Sequence, residues 1–257
     1  MSGEKSPNGG GEPKKILGKE PLRAPLLKRF YKAAAVEERD GRYAVLLDGR
    51  SIRTPGKREL ALPTEALASA VAAEWQAQGE HVNPATMPLT RLANSAIDGV
   101  ADRKDEVAGD IAAFAASDLL CYRAEAPEAL VRRQAEAWNP VLAWASRELG
   151  ADFVLRAGLM PIEQPPEAVR AVLSALSGID AMSLAALHVL TTISGSALLA
   201  LALWRGHLAV DEAWSAADVD ETWQREQWGR DEEAEAHAAA RRAEFEAASH
   251  CLRLLRR

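Results

Sequence analysis

The chain has 257 residues, an apolar share of 48%, a charged share of 26% and a formal net charge of −6. That composition suits a globular protein with a real hydrophobic core, divided into one large domain or two modest ones. A pI near 5.5 argues against general nucleic-acid binding, which leaves a basic footprint, and the two cysteines, Cys121 and Cys251, lack CxxC or zinc spacing and fit free thiols in a reducing compartment.

Residues 1–26 differ in kind from the rest of the chain. M-S-G-E-K-S-P-N-G-G-G-E-P-K-K and I-L-G-K-E-P-L-R-A-P are dominated by Gly, Pro, Ser and Lys, with no apolar stretch behind the charges. The segment is not a secretory signal, and its glutamates and lack of amphipathic Arg spacing argue against a mitochondrial transit peptide. It reads as a disordered tail, which leaves the chain cytoplasmic if it is bacterial.

From Leu27 the pattern turns to strands. F-Y-K-A-A-A-V-E leads to Asp40-Gly41, then Y-A-V-L-L to Asp48-Gly49, then S-I-R-T to Pro55. Asp-Gly dipeptides between apolar runs are strong hairpin signals, so a three-stranded antiparallel meander is predicted, with Leu60–Leu62 as a short fourth strand. Thr64 is placed to cap a first helix carrying Leu67, Val71, Ala72 and Trp75 at helical spacing, with Gly79 as its stop. H-V-N-P-A-T-M-P, with prolines at 84 and 88, reads as the connector between domains.

Beyond Pro88 the chain reads as helix: Leu89 to Val100, Asp102 to Ala116, Pro127 to Leu149 and Glu167 to Leu176, with D-L-L-C-Y-R (118–123) ambiguous between a helix end and a strand. Trp138 and Trp144, six apart, make a poor single stripe, so at least one belongs at a domain or helix crossing. Leu184 to Trp204 is long enough to span a bilayer. Its polar cluster Thr191–Ser196 splits it into halves of ordinary length, and a central buried helix or helix pair is the better reading. The division is 1–26 tail, 27–85 N-terminal α+β domain and 86–257 helical domain.

Enzyme signatures are not found. His81, His188, His207, His237 and His250 are scattered without an HExxH pair, and there is no Walker A loop, GxGxxG or GxSxG elbow. His188 reads as a core histidine, and Ser194-Gly195-Ser196 as close helix packing. No catalytic residue, metal site or cofactor is expected.

The most distinctive stretch is Asp218 to Glu235, D-V-D-E-T-W-Q-R-E-Q-W-G-R-D-E-E-A-E, a helix broken at Gly229. Its eight acids stand against Arg225 and Arg230. Trp223 and Trp228, five apart, point about 140° from each other around a helix axis, so one narrow buried stripe cannot hold both: one belongs to the core and the other near the surface. An indole among carboxylates suits protein recognition; a solvated acidic helix with two anchoring indoles explains the composition equally well. A pair of glycosidase-type carboxylates is a third possibility, although Glu221 and Glu226 could barely aim at one point.

Several segments, in order over roughly residues 28 to 237, carry a family likeness. They are K-R-F-Y-K (28–32), V-L-L-D-G-R-S-I-R-T-P (45–55), A-A-E-W-Q-A-Q (72–78), M-P-L-T-R-L-A-N-S-A-I-D (87–98), D-L-L-C-Y-R (118–123), R-Q-A-E-A-W-N-P (133–140) and E-T-W-Q-R-E-Q-W-G-R-D-E-E (221–233). Together they resemble the assembly chaperones of F-type ATP synthase that act on the α-subunit, of mitochondria and some bacteria. The tail, with eight bases and three acids over residues 1–32, lies largely outside the match and is assigned no function.

The resemblance implies an α+β fold: a small antiparallel meander with a helix, followed by a larger all-helical domain with orthogonal packing. It implies a non-enzymatic, ATP-independent protein that holds the free α-subunit until the β-subunit replaces it; from the residues themselves, a monomer without stable membrane insertion is expected. It would work in the bacterial cytoplasm or, in a eukaryote, the mitochondrial matrix. The residues expected to touch the client are Glu221, Glu226, Trp228, Asp231, Glu232 and Glu233, while Trp223 is left in the core. Trp75 either packs the first helix on the sheet or faces the client. Asn94 with Asp98, and Asp118 with Arg123, are given to structure. The alternatives are an enzyme for a small polar substrate such as a sugar in an acidic Trp-lined cleft, or an adaptor for another basic protein.

Overall fold

A computed structural model of the chain describes residues 26–158, 160–229 and 231–256; the tail read as disordered falls, but for Leu26, outside the described residues. The meander forms as its turn residues dictate. Asp40 and Gly41 have φ of 49° and 73°, and Asp48 and Gly49 have 48° and 79°, the paired left-handed conformations of a tight hairpin turn. They join β2 (Ala34–Arg39), β3 (Arg42–Leu47) and β4 (Arg50–Ser51), with Arg39 opposite Arg42 and Leu47 opposite Arg50. β5 (Ala61–Leu62) pairs with the start of β3. Ahead of them, β1 (Leu27–Lys28) pairs with β6 (His81–Val82).

The helix α1 (Glu65–Gln76) lays Leu67, Ala68, Val71 and Ala72 into the core beside the buried run of β3. Its cap is Thr64, whose Oγ1 accepts from Leu67 N at 3.3 Å and donates to Leu254 O at 2.9 Å. The helix stops before Gly79, the expected terminator. Arg29 reaches in instead and donates to the carbonyls of Gln76, at 3.3 Å, and Gln78, satisfying acceptors that a helix end leaves open.

The connector holds β6 and a single 3₁₀ turn, Pro84–Thr86, and leads into α2 (Pro88–Ser95). Glu74 of α1 caps α2, accepting from Leu89 N (2.7 Å), Thr90 N (2.8 Å) and Thr90 Oγ1 (2.7 Å). Burial pushes its carboxyl above the usual range, against the pull of those bonds. After α2 the chain widens into a π-turn, Ala96–Val100. This aims Asp98 across the seam, where Thr54 Oγ1 donates to it at 2.6 Å and Gly56 N at 2.7 Å. Arg58 adds a bond to Ile97 O at 2.7 Å and an ion pair with Asp102. One continuous core runs from Val45 in the sheet to Leu252 near the C-terminus.

The helical part continues with α3 (Lys104–Ala115), a 3₁₀ turn at Leu119–Cys121, β7 (Tyr122–Arg123), α4 (Glu128–Leu149), β8 (Arg156–Ala157) and α5 (Pro166–Ala175). Then come α6 (Ala181–Ser194), α7 (Ala197–Trp204), α8 (Val210–Ala217), α9 (Val219–Trp228) and α10 (Glu232–Leu254). The apolar stretch 184–204 is thus a helix pair, broken at Gly195 with φ of 69°. Among the described residues no helix is long and apolar enough to cross a membrane. Both Trp138 and Trp144 are buried, because α4 has neighbours on several sides: α5, α7, α8 and α9.

Every residue of α7 from Ala197 to Leu203 is buried, so its first amide groups need internal acceptors. Ser196 Oγ takes Leu199 N at 3.0 Å. Asp118, itself inaccessible, takes Leu198 N at 3.2 Å and Leu120 N at 3.1 Å. Burial raises the Asp118 carboxyl to about 6, the donors from Ser196 and the backbone opposing it. Nearby Cys121, like Cys251 in α10, is a free buried thiol pushed up to about 12 by burial, hence unreactive.

These contacts can be tested by stability measurements. A methyl group at Gly56 would meet the Asp98 carboxylate at 2.6 Å, and Asp98 cannot yield without losing both its bonds. Gly56→Ala should therefore cost about 1–3 kcal/mol in urea unfolding, whereas Gly109→Ala, in open space within α3, should gain up to about 1 kcal/mol. Asp118 keeps its proton to about pH 6 when folded but only to an ordinary 3.8 when unfolded. Its contribution is therefore full below pH 4 and lost as pH rises through 6. The unfolding free energy of the parent should fall relative to Asp118→Asn by about 2 kcal/mol between pH 4 and pH 7.

Candidate functional site

The acidic stretch forms an elbow, α9 and α10 meeting at the break expected at Gly229. Gly229, with φ of 88°, breaks the chain after Trp228. Asp231 then caps α10, its Oδ1 accepting from Glu233 N at 2.9 Å and Ala234 N at 3.3 Å. Glu232 and Glu233 sit exposed in the first turn of α10, where the positive end of the helix dipole favours carboxylates. Trp228 projects from the corner with 88% of its surface exposed, the most exposed large apolar side chain among the described residues.

The carboxylates of α9 point elsewhere. Glu226 pairs with Arg133 of α4 at 2.7 Å and Glu221 with Arg241 of α10 at 3.4 Å. They aim at different elements, so no glycosidase-like pair is formed. Arg133 also lies over the ring of Trp223, 4.9 Å from its centroid. Trp223 is consequently half-buried under a guanidinium, and the expectation that it enters the core is corrected: α9 buries no residue fully. At its start, Asp218 is buried and accepts from Thr222 Oγ1 at 2.9 Å and from Arg225.

The R-Q-A-E-A-W-N-P segment of α4 is the bracket for this elbow. Beside Arg133, buried Gln134 donates to Asp220 at 2.7 Å and accepts from Ala124 N at 2.8 Å. One turn on, Trp138 Nε1 donates to Ala216 O at 2.7 Å, fixing the end of α8, and Arg123 stacks on its ring at 5.1 Å. These bracketing roles are not apparent from the sequence, since each joins residues far apart along the chain.

Trp75 lies away from this surface. It is half-buried at the junction of the main core and a small satellite of Tyr31, Leu47, Val82 and Met87, edge-on to Tyr31 with centroids 5.7 Å apart. His188, expected in the core, is only half-buried on α6. It lines a groove of about 420 Å³ with Arg91, Leu92 and Glu244. The cleft beside α9, about 380 Å³, is walled by Arg133, Arg225 and Arg242 and not by convergent carboxylates. No cluster of three or more metal-ligating side chains occurs among the described residues.

Residues 28–146 match the model of the ATP12 chaperone protein family. The solved structure of Atp12 from Paracoccus denitrificans is 46% identical, with a TM-score of 0.83 over 90% of this chain and 99% of that one. The chain belongs to the ATP12 chaperone family. The Atu1473 protein of Agrobacterium tumefaciens is 48% identical, with a TM-score of 0.87 over 91% of this chain and 88% of that one. The mitochondrial protein atp12 of Schizosaccharomyces pombe is 26% identical over 226 residues, 83% of this chain and 78% of its own length. The α+β architecture read from the sequence is the family's fold.

The two indoles that bound the site differ in what they support. Trp228→Ala should leave unfolding free energy within about 0.5 kcal/mol of the parent, while Trp138→Ala should cost about 3–5 kcal/mol. Denaturation curves of the two variants check both values.

Proposed function

We propose that this chain, a chaperone of ATP synthase assembly, binds the free α-subunit of the catalytic head and holds it for the β-subunit. The coarse role follows from family membership. The finer one rests on a single observation: a large indole, 88% exposed, held at the corner of two well-formed helices. An α-subunit without its neighbour exposes apolar interface and is prone to aggregate. A holder that must later release it needs an anchor within a polar rim. Trp228 supplies the anchor. Asp231, Glu232 and Glu233 supply a rim for basic groups of the client. Glu221 and Glu226, each about half exposed in its ion pair, hold the elbow and keep one edge towards the partner. Trp75 is assigned to packing, since it lies at the junction of two core clusters. The protein acts as a monomer, without catalysis, in the bacterial cytoplasm or, in a eukaryote, the mitochondrial matrix.

Size-exclusion chromatography of the chain with separately purified α- and β-subunits tests this reading. Co-elution with α, absent with β and reversed when β is added, is the expected result. Trp228→Ala and the double change Glu232→Lys/Glu233→Lys should each weaken α binding at least tenfold, about 1.4 kcal/mol. Binding to β instead, or unchanged α binding by both variants, would overturn the placement.

A further inference from the structure

A helix that buries none of its residues completely needs some other reason to stay in place. α9 is such a helix. Only Val219, at its first turn, packs against the main core, and the cleft beside it is walled mostly by polar and charged side chains, with Trp214 and Val219 as the apolar part. The rest of the helix is held by long-range polar contacts from α4 and α10. Arg133 makes two of them at once, stacking over Trp223 at 4.9 Å and pairing with Glu226 at 2.7 Å. Its neighbour Gln134 bonds Asp220 at 2.7 Å, and Arg241 bonds Glu221 at 3.4 Å while also donating to Ile193 O at 2.9 Å. Two residues after Glu226 comes Trp228.

We infer that Arg133 is the positioning residue of the client-contact elbow. Its planar guanidinium serves as a cover for the indole of Trp223 and as a partner for the carboxylate of Glu226, one turn further along the same face. It thereby fixes the direction in which α9 delivers Trp228. Gln134 pins the first turn of α9 and Arg133 the second. A lysine could replace the charge but not the flat cover. The inference rests on the reading of the elbow as the α-subunit contact. It adds that affinity depends on a residue of α4 that need not touch the client.

Hydrogen exchange and α-subunit binding should be measured on the full chain carrying Arg133→Ala, Arg133→Lys, Glu226→Gln or Trp228→Ala. Arg133→Ala should speed exchange over residues 219–229 at least tenfold, leaving α6 and α7 unchanged, and should weaken α binding about tenfold. Arg133→Lys should fall between it and the parent. Glu226→Gln cuts the pair without removing the stack, and carries the test if Arg133→Ala fails to fold. It should loosen residues 219–229 to a smaller degree. Unchanged exchange over 219–229 in both Arg133→Ala and Glu226→Gln would overturn the inference whatever the binding. So would loosened exchange with parental α binding in Arg133→Ala while Trp228→Ala loses binding. Parental α binding by Trp228→Ala would instead sink the elbow reading, and the inference with it.

Discussion

A helix with no wet face sets the terms for the rest of this molecule. α7 is buried from Ala197 to Leu203, and a buried helix start exposes amide groups that no water can satisfy. Asp118 and Ser196 supply the acceptors. That requirement brings the loop after α3 to the centre of the fold. α4, the next helix along the chain, is then surrounded by α5, α7, α8 and α9. The carboxyl that solves the problem is itself costly to ionise there, so the centre of the protein is held by a group under electrostatic tension.

α4 turns this centre into a platform. Its buried side satisfies packing through Trp138, Val141 and Trp144, while its first turns carry Arg133 and Gln134 outward to α9. The same helix thus joins the part of the chain that dominates stability to the part that is available for contact. At the other end of the molecule the sheet is tied in similar fashion, with Glu74 and Asp98 each placed at a helix start or a π-turn by backbone amides. Both seams use carboxylates aimed at amide groups. Such contacts are directional in a way that apolar packing is not.

Local chemistry is legible in the sequence and distant pairing is not. Asp40-Gly41 and Asp48-Gly49 name their turns because left-handed backbone is a property of those residues alone, and Thr64 announces its helix because a cap acts within three residues. Gly195 divides the apolar stretch for the same reason. Asp98, Asp118 and Gln134 each have a partner 42, 80 and 86 residues away respectively, and nothing in a window around any of them names that other end. Spacing and composition put Trp223 in the core because an indole usually finds apolar neighbours. Here a guanidinium covers it. α1 ends ahead of Gly79, and Arg29, a residue of the first strand region, takes carbonyls at and just past its end, a contact no local window names. In the site, angular spacing separates the two indoles and Gly229 marks the break, while the capping role of Asp231 needs the backbone to be seen.

The exposed indole at the elbow has a consequence for the protein's behaviour towards its own kind. A large apolar side chain standing free in solvent invites a second copy to cover it. Around Trp228 stand Asp231, Glu232 and Glu233, on a chain whose formal net charge is −6. Two such elbows approaching one another would bring like charges together before the indoles could meet, and the repulsion acts over about a Debye length, some 8 Å at physiological ionic strength. The acids therefore act as gatekeepers. On the proposed reading of the elbow as the client contact, they keep the anchor available to a partner that brings positive charge and deny it to a neighbour that brings the same negative charge.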